Sequence, residues 1–84
     1  MIIKSQNGEY LANIAMINTI GFFENRITAY NGKNATLLGD YVSGERCKEI
    51  IAEIAEHYNK CEYAKFMGCD NTSYVSNIYE MPEE

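Results

Sequence analysis

Along residues 1–41 the apolar positions come in short runs rich in β-branched and aromatic residues, while from residue 47 they recur at Cys47, Ile50, Ile51, Ile54, Ala55 and Tyr58. The first pattern is that of strands, the second that of one helical face. Asn7-Gly8 and Asn31-Gly32 both fall between strand-like runs. Asn-Gly suits the type I′ turn, whose two central residues need positive φ. "MIIKSQ" and "EYLANI" are therefore expected to form one hairpin, and "RITAY" and "NATLLGDY" a second. "INTIGFF" between them reads as a further strand that turns at Glu24-Asn25. Gly21 and Gly39 lie inside strand patterns and suggest bulges or close approaches.

The stretch "DYVSGERCKEII" marks the change of period. Ser43 suits an N-cap, because its hydroxyl can accept a bond from a free amide of the first turn. Val42 before it and Cys47 at the fourth helical position have the spacing of a hydrophobic staple. Glu45 near the start and Lys60 near the end agree with the helix dipole. The spacing predicts a helix over about 44–59 lying on one face of the sheet. Beyond it, "CEYAKFM" reads as a short strand, "GCDN" as a loop, and "TSYVSNIYEM" as a last strand ended by Pro82. The fold class expected is α+β: an antiparallel β-meander of five to seven short strands with one α-helix packed on one face.

A chain of 84 residues has room for a single domain. At this length only about 60 to 65% of the unfolded surface is buried, so the core is thin. One helix of such a size shields only part of one sheet face, which predicts a homo-oligomer with the last strand at an interface. No apolar run approaches a membrane span, and the N-terminus lacks the basic-then-apolar pattern of a signal peptide. A cytoplasmic protein without a membrane partner is expected.

Net charge is −5, unevenly placed. Residues 1–39 hold Glu9 and Glu24 against Lys4, Arg26 and Lys33, a balance of +1, and residues 40–84 carry −6. Direct nucleic-acid binding needs clustered positive charge and is disfavoured.

Glu45, Arg46 and Cys47 set an acid, a base and a thiol side by side. A thiol at a helix start can have a lowered pKa, but a nucleophile also needs a base. His57, the single histidine, lies ten residues on in the same helix, roughly 15 Å away and on another side. Cys47 is therefore read as a packing residue. Cys47, Cys61 and Cys69 fit neither a disulfide framework nor, with His57, the close ligand pairs of a zinc site. Free thiols, no metal and no cofactor are expected. Glu45, Glu49 and Glu53 recur every fourth residue as an acidic ridge on the outer helix face. Such a ridge is solvated or meets a basic partner, and it lacks the enclosure that acid-base catalysis requires.

The combination of "IIKSQNG", "LGDYVSGERCKEIIAEI" and "IYEMP" resembles a group of small proteins common in phages and prophages of AT-rich bacteria. The residues that carry the likeness are Leu38, Gly39, Tyr41, Ser43, Glu45, Arg46, Tyr79, Met81 and Pro82. The resemblance implies a phage setting, within the host cell cytoplasm, and a role in blocking host defence without catalysis. Some small phage proteins form oligomers that trap nucleotide immune signals, such as cyclic dinucleotides or cyclic ADP-ribose derivatives. Others are acidic inhibitors that occupy the nucleic-acid groove of a nuclease, in the manner of anti-CRISPR proteins.

Among these, a ligand-sequestering oligomer agrees best with the thin core, the seven tyrosines and the mildly basic strand half. Nucleotides are held by aromatic stacking with amide and Arg contacts, and Phe22, Phe23, Arg26, Tyr30 and Tyr74 are the candidate ligand-binding residues. The acidic inhibitor rests on the helix ridge, and a structural interaction module is a third reading. Enzymatic activity is not expected.

Overall fold

The sharpest local constraint is the turn at Glu24-Asn25, where both residues adopt positive φ, 50° and 69°. That is the type I′ arrangement, and among the described residues it occurs at the one hairpin turn that contains no glycine. It joins β3 (Thr19–Phe23) to β4 (Arg26–Asn31), with Phe23 opposite Arg26. β4 then turns into β5 (Asn34–Asp40) through Gly32-Lys33, since Asn31 pairs with Asn34. Only Gly32 has positive φ in that turn, as in type II′. The expected Asn31-Gly32 pair thus sits one residue earlier than the turn itself.

A computed structural model describes residues 1–66 and 77–84, the side chains of 64–66 excepted. Among these, β1 (Ile2–Lys4) and β2 (Leu11–Asn13) form the expected first hairpin, antiparallel with Lys4 opposite Leu11. Its loop is longer than a two-residue turn. Asn7 has no positive φ and acts instead as an acceptor: its Oδ1 receives the Ser5 hydroxyl at 2.7 Å and the Glu9 N–H at 2.9 Å. A 3-10 turn over Ile14–Met16 leads from β2 toward β3.

The described strands make two three-stranded sheets, ordered β2-β1-β6 and β3-β4-β5. The pairings are antiparallel except one: β6 (Ile78–Glu80) runs parallel to β1, with Ile3 opposite Tyr79. Gln6 joins the sheets. Its N–H donates to the Leu38 carbonyl at 2.7 Å, its side-chain oxygen accepts from the Asp40 N–H at 2.8 Å, and its Nε2 donates to the Asp40 carbonyl at 2.9 Å. The α+β class holds, with the meander confined to the second sheet.

Gly39 fulfils the expectation of a bulge. Ile27 pairs with Gly39 and Thr28 with Leu37, which leaves Leu38 as the extra residue on β5. Gly21 does not, since β3 pairs with β4 in unbroken register.

The helix α1 spans Gly44–Phe66. Its start is as expected, with the Arg46 N–H donating to the Ser43 hydroxyl at 3.2 Å. Its end is not. Residues 61–66 of "CEYAKFM" are helical rather than a strand, because Cys61, 6% exposed, lies seven residues beyond buried Ile54 and prolongs the same apolar face. The staple is also absent: Val42 is 86% exposed and cannot cover Cys47. Of the expected last strand only Ile78–Glu80 is a described strand, and 67–76 lie outside the described residues.

Ile3 from the first sheet, Ile27 and Leu38 from the second, and Cys47 and Ile50 from α1 are fully buried together. One core therefore holds all three elements, each large aliphatic side chain contributing about 1.5–3 kcal/mol. Among the described residues, no helix is long and apolar enough to cross a membrane.

Candidate functional site

Cross-strand partners in a sheet point the same way, so the register of β3-β4-β5 sorts the candidate ligand residues by face. Phe22 pairs with buried Ile27 and faces the helix, its ring reaching the start of α1 at Gly44. Phe23 pairs with Arg26, and Arg26 with Asp40, on the opposite, outer face. Tyr30 shares that outer face, four residues from Arg26 and therefore roughly 13 Å along β4. Tyr74 lies outside the described residues. The structure thus brings Phe23 and Arg26 together, keeps Tyr30 on their side at a distance, and separates Phe22 from all three.

The outer face is open. Phe23 is 74% exposed, Tyr30 41% and Leu37, opposite Thr28, 43%. Arg26 Nε donates to Asp40 Oδ1 at 3.0 Å with both side chains mostly exposed. Such a solvated pair is worth about 0–1 kcal/mol, so an anion can draw the guanidinium away from Asp40 at small cost. A shallow cleft of about 150 Å³ between Tyr10, Asn7 and Leu37 adjoins this face.

A second concavity, about 300 Å³, runs between α1 and β3. Ile14, Ile17 and Ile20 form one wall, Ile51, Ile54, Ala55 and Tyr58 the other. Its described lining holds no cation for a phosphate and suits apolar side chains. The isoleucines at every third residue from 14 to 20 are the sequence signal for it, although strand periodicity alone does not bring them to one wall.

A polar cluster lies where residues 79–84 meet the helix start. Arg46 Nη1 lies 3.3 Å from Glu49 Oε1 and 4.0 Å from Glu53 Oε1, while Nε and Nη2 donate to the Glu84 oxygen at 3.1 and 2.9 Å. The Tyr79 hydroxyl donates to Glu53 Oε2 at 3.0 Å, and its ring lies 5.7 Å from that of His57. The Tyr41 hydroxyl donates to the Pro82 carbonyl at 2.8 Å. Burial pushes Tyr41 up to about 12, the Arg46 charge opposing the shift. Burial, with the bond to the Glu53 carboxylate, raises Tyr79 as well. Every one of these groups is engaged within the chain. Gly39, Tyr41, Ser43, Arg46, Tyr79 and Pro82 converge here.

Cys47 does not resemble an activated nucleophile. It is fully buried, and burial, with Asp40 nearby, pushes its thiol up. His57 lies on the same helix, ten residues on. Cys47 and Cys61 are free thiols, Cys69 lies outside the described residues, and no group of three metal-binding side chains occurs among the described ones. Comparison with protein-family models, with curated proteins and with solved structures finds no match to this chain.

Proposed function

We propose that this chain is a non-catalytic binding protein that works as a homo-oligomer, and that it sequesters a nucleotide-type immune signal in the cytoplasm of a phage host. The observation that carries the reading is the open outer face of the second sheet, with Phe23 beside the loosely paired Arg26 and Tyr30 further along. A base stacks on Phe23 or Tyr30, and a phosphate takes Arg26 from Asp40. A neighbouring copy widens this face and brings a second set of the same residues to it. The phage setting rests on the sequence resemblance alone.

Native mass spectrometry of protein purified from cells that make cyclic dinucleotides or cyclic ADP-ribose derivatives tests this directly. An oligomer carrying nucleotide mass is expected, with the mass lost in Phe23→Ala and Arg26→Ala. A ligand-free protein, with no heat on titration of those nucleotides, rejects the sequestering role.

An acidic inhibitor of a host nuclease is the second reading, supported by the −6 balance of residues 40–84. It is weakened by the helix ridge itself. Glu49 is held by Arg46, and Glu53 by Arg46 and Tyr79, so only part of the ridge is available to a basic partner.

A further inference from the structure

Among the described residues, β3 is an edge strand with β4 as its one strand neighbour. Proteins usually blunt such edges with charge, proline, a bulge or brevity. The other edges here are blunted: β2 and β6 have three residues each, and β5 carries the bulge and is engaged by Gln6. Thr19–Phe23 has no charged residue, no proline and a regular register over all five positions.

Among the described residues, nothing in the protomer calls for a glycine at position 21, the centre of this strand. Its φ is not positive, and a Cβ there would meet nothing within 4 Å. Glycine weakens a strand, and inside one it often marks a bulge, a bend or a place where a ligand or another backbone comes close; the register here shows no bulge.

We propose that β3 pairs antiparallel with β3 of a second copy about a two-fold axis at Gly21, joining two three-stranded sheets into one of six. This rests on the homo-oligomer reading above and names the surface that carries it. The register opposes Gly21 to itself, Ile20 to Phe22 and Thr19 to Phe23, and it sets Glu24 against Asn18, so no like charges face each other. Ile20 and Phe22 meet on the helix-facing side. There the isoleucine groove between α1 and β3 runs beside the same edge, and the two-fold brings the grooves of both copies together. On the outer side Phe23 of one copy lies over Thr19 of the other, which extends the open face bearing Arg26 and Tyr30 across both chains.

The self-opposition of residue 21 gives a specific test. Gly21→Glu and Gly21→Lys each have open space in the protomer, so both keep the parental circular dichroism. Light scattering at high micromolar concentration is expected to give at least a dimer for the parent and a reduced mass for either variant alone. An equimolar mixture of the two regains the parental mass, because opposite charges then meet at the axis. A variant that keeps the parental mass overturns the β3 interface while leaving the oligomer reading in place. A parent of single-chain mass overturns both. Variants that dissociate but fail to recombine overturn the Gly21 register.

Discussion

The ring of Tyr41 lies against the backbone of Gly39 so closely that no side chain fits between them: a Cβ on Gly39 would stand 2.8 Å from both Cε2 and the hydroxyl oxygen. Gly39→Ala must therefore displace a buried ring and its bond to Pro82. A loss of about 1–3 kcal/mol is expected, as for other overpacked sites. Tyr41→Phe removes only the hydrogen bond and costs about 1 kcal/mol. Urea denaturation of both variants decides the order, and Gly39→Ala melting like the parent would show that the ring moves freely.

At the Glu24-Asn25 turn, two residues with side chains hold positive φ. Asn tolerates that region better than Glu, and Gly better than either. Glu24→Asn and Asn25→Gly should each stabilise by about 0.5–1 kcal/mol, whereas Glu24→Val should destabilise. Thermal melts showing the reverse order would mean that the turn is not type I′.

Ile54 is 4% exposed on the helix face against the core. Ile54→Asp should leave the chain unfolded at room temperature, because an unpaired buried carboxylate costs more than a domain of this size can lose. Glu49→Gln removes an exposed partner of Arg46 and should shift stability by less than about 1 kcal/mol. Near-equal melting of the two would place Ile54 on the wrong side of α1.

Tyr41 and Tyr79 are held neutral by the fold. In the unfolded chain a phenol loses its proton near pH 10, while folded Tyr41 keeps it to about 12. Above pH 10 the unfolded state therefore binds fewer protons, and stability falls as pH rises toward 12. Below pH 10 these groups impose no pH dependence. Urea midpoints measured from pH 9 upward should show the fall, and Tyr79→Phe should make it shallower.

Cys47 should be the slowest described thiol to alkylate, since burial removes both access and the thiolate. Timed iodoacetamide labelling with peptide mapping should find it protected until denaturant is added. Rapid labelling in the native protein would reopen its reading as a nucleophile.

What the sequence revealed follows the range of the forces involved. The hairpins, the Ser43 cap and the apolar helix face depend on residues within about one turn of each other, and all of them form, although neither Asn-Gly pair makes the expected two-residue type I′ turn. The end of α1 lies beyond the expected 59 because Tyr63 and Phe66 favour strands locally, while the burial of Cys61 carries the helix on. The parallel β1·β6 pair joins residues more than seventy positions apart and leaves no periodic trace. At the site, register alone separates Phe22 from Phe23, and adjacent aromatics in a strand always face opposite ways. That much was readable. The engagement of Arg46 by the last residues was not, because it depends on where β6 delivers the chain.

That delivery also sets an order of events during synthesis. The β1·β2 hairpin and the β3-β4-β5 meander contain only local pairings and can form while the ribosome is still adding residues. β1 keeps one backbone edge unpaired until residues 78–80 emerge, and the contacts of Tyr41 and Arg46 wait for 82–84. Until residues 78–84 have emerged, the nascent chain is thus a pair of partly formed sheets, with Ile3 not yet paired with Tyr79.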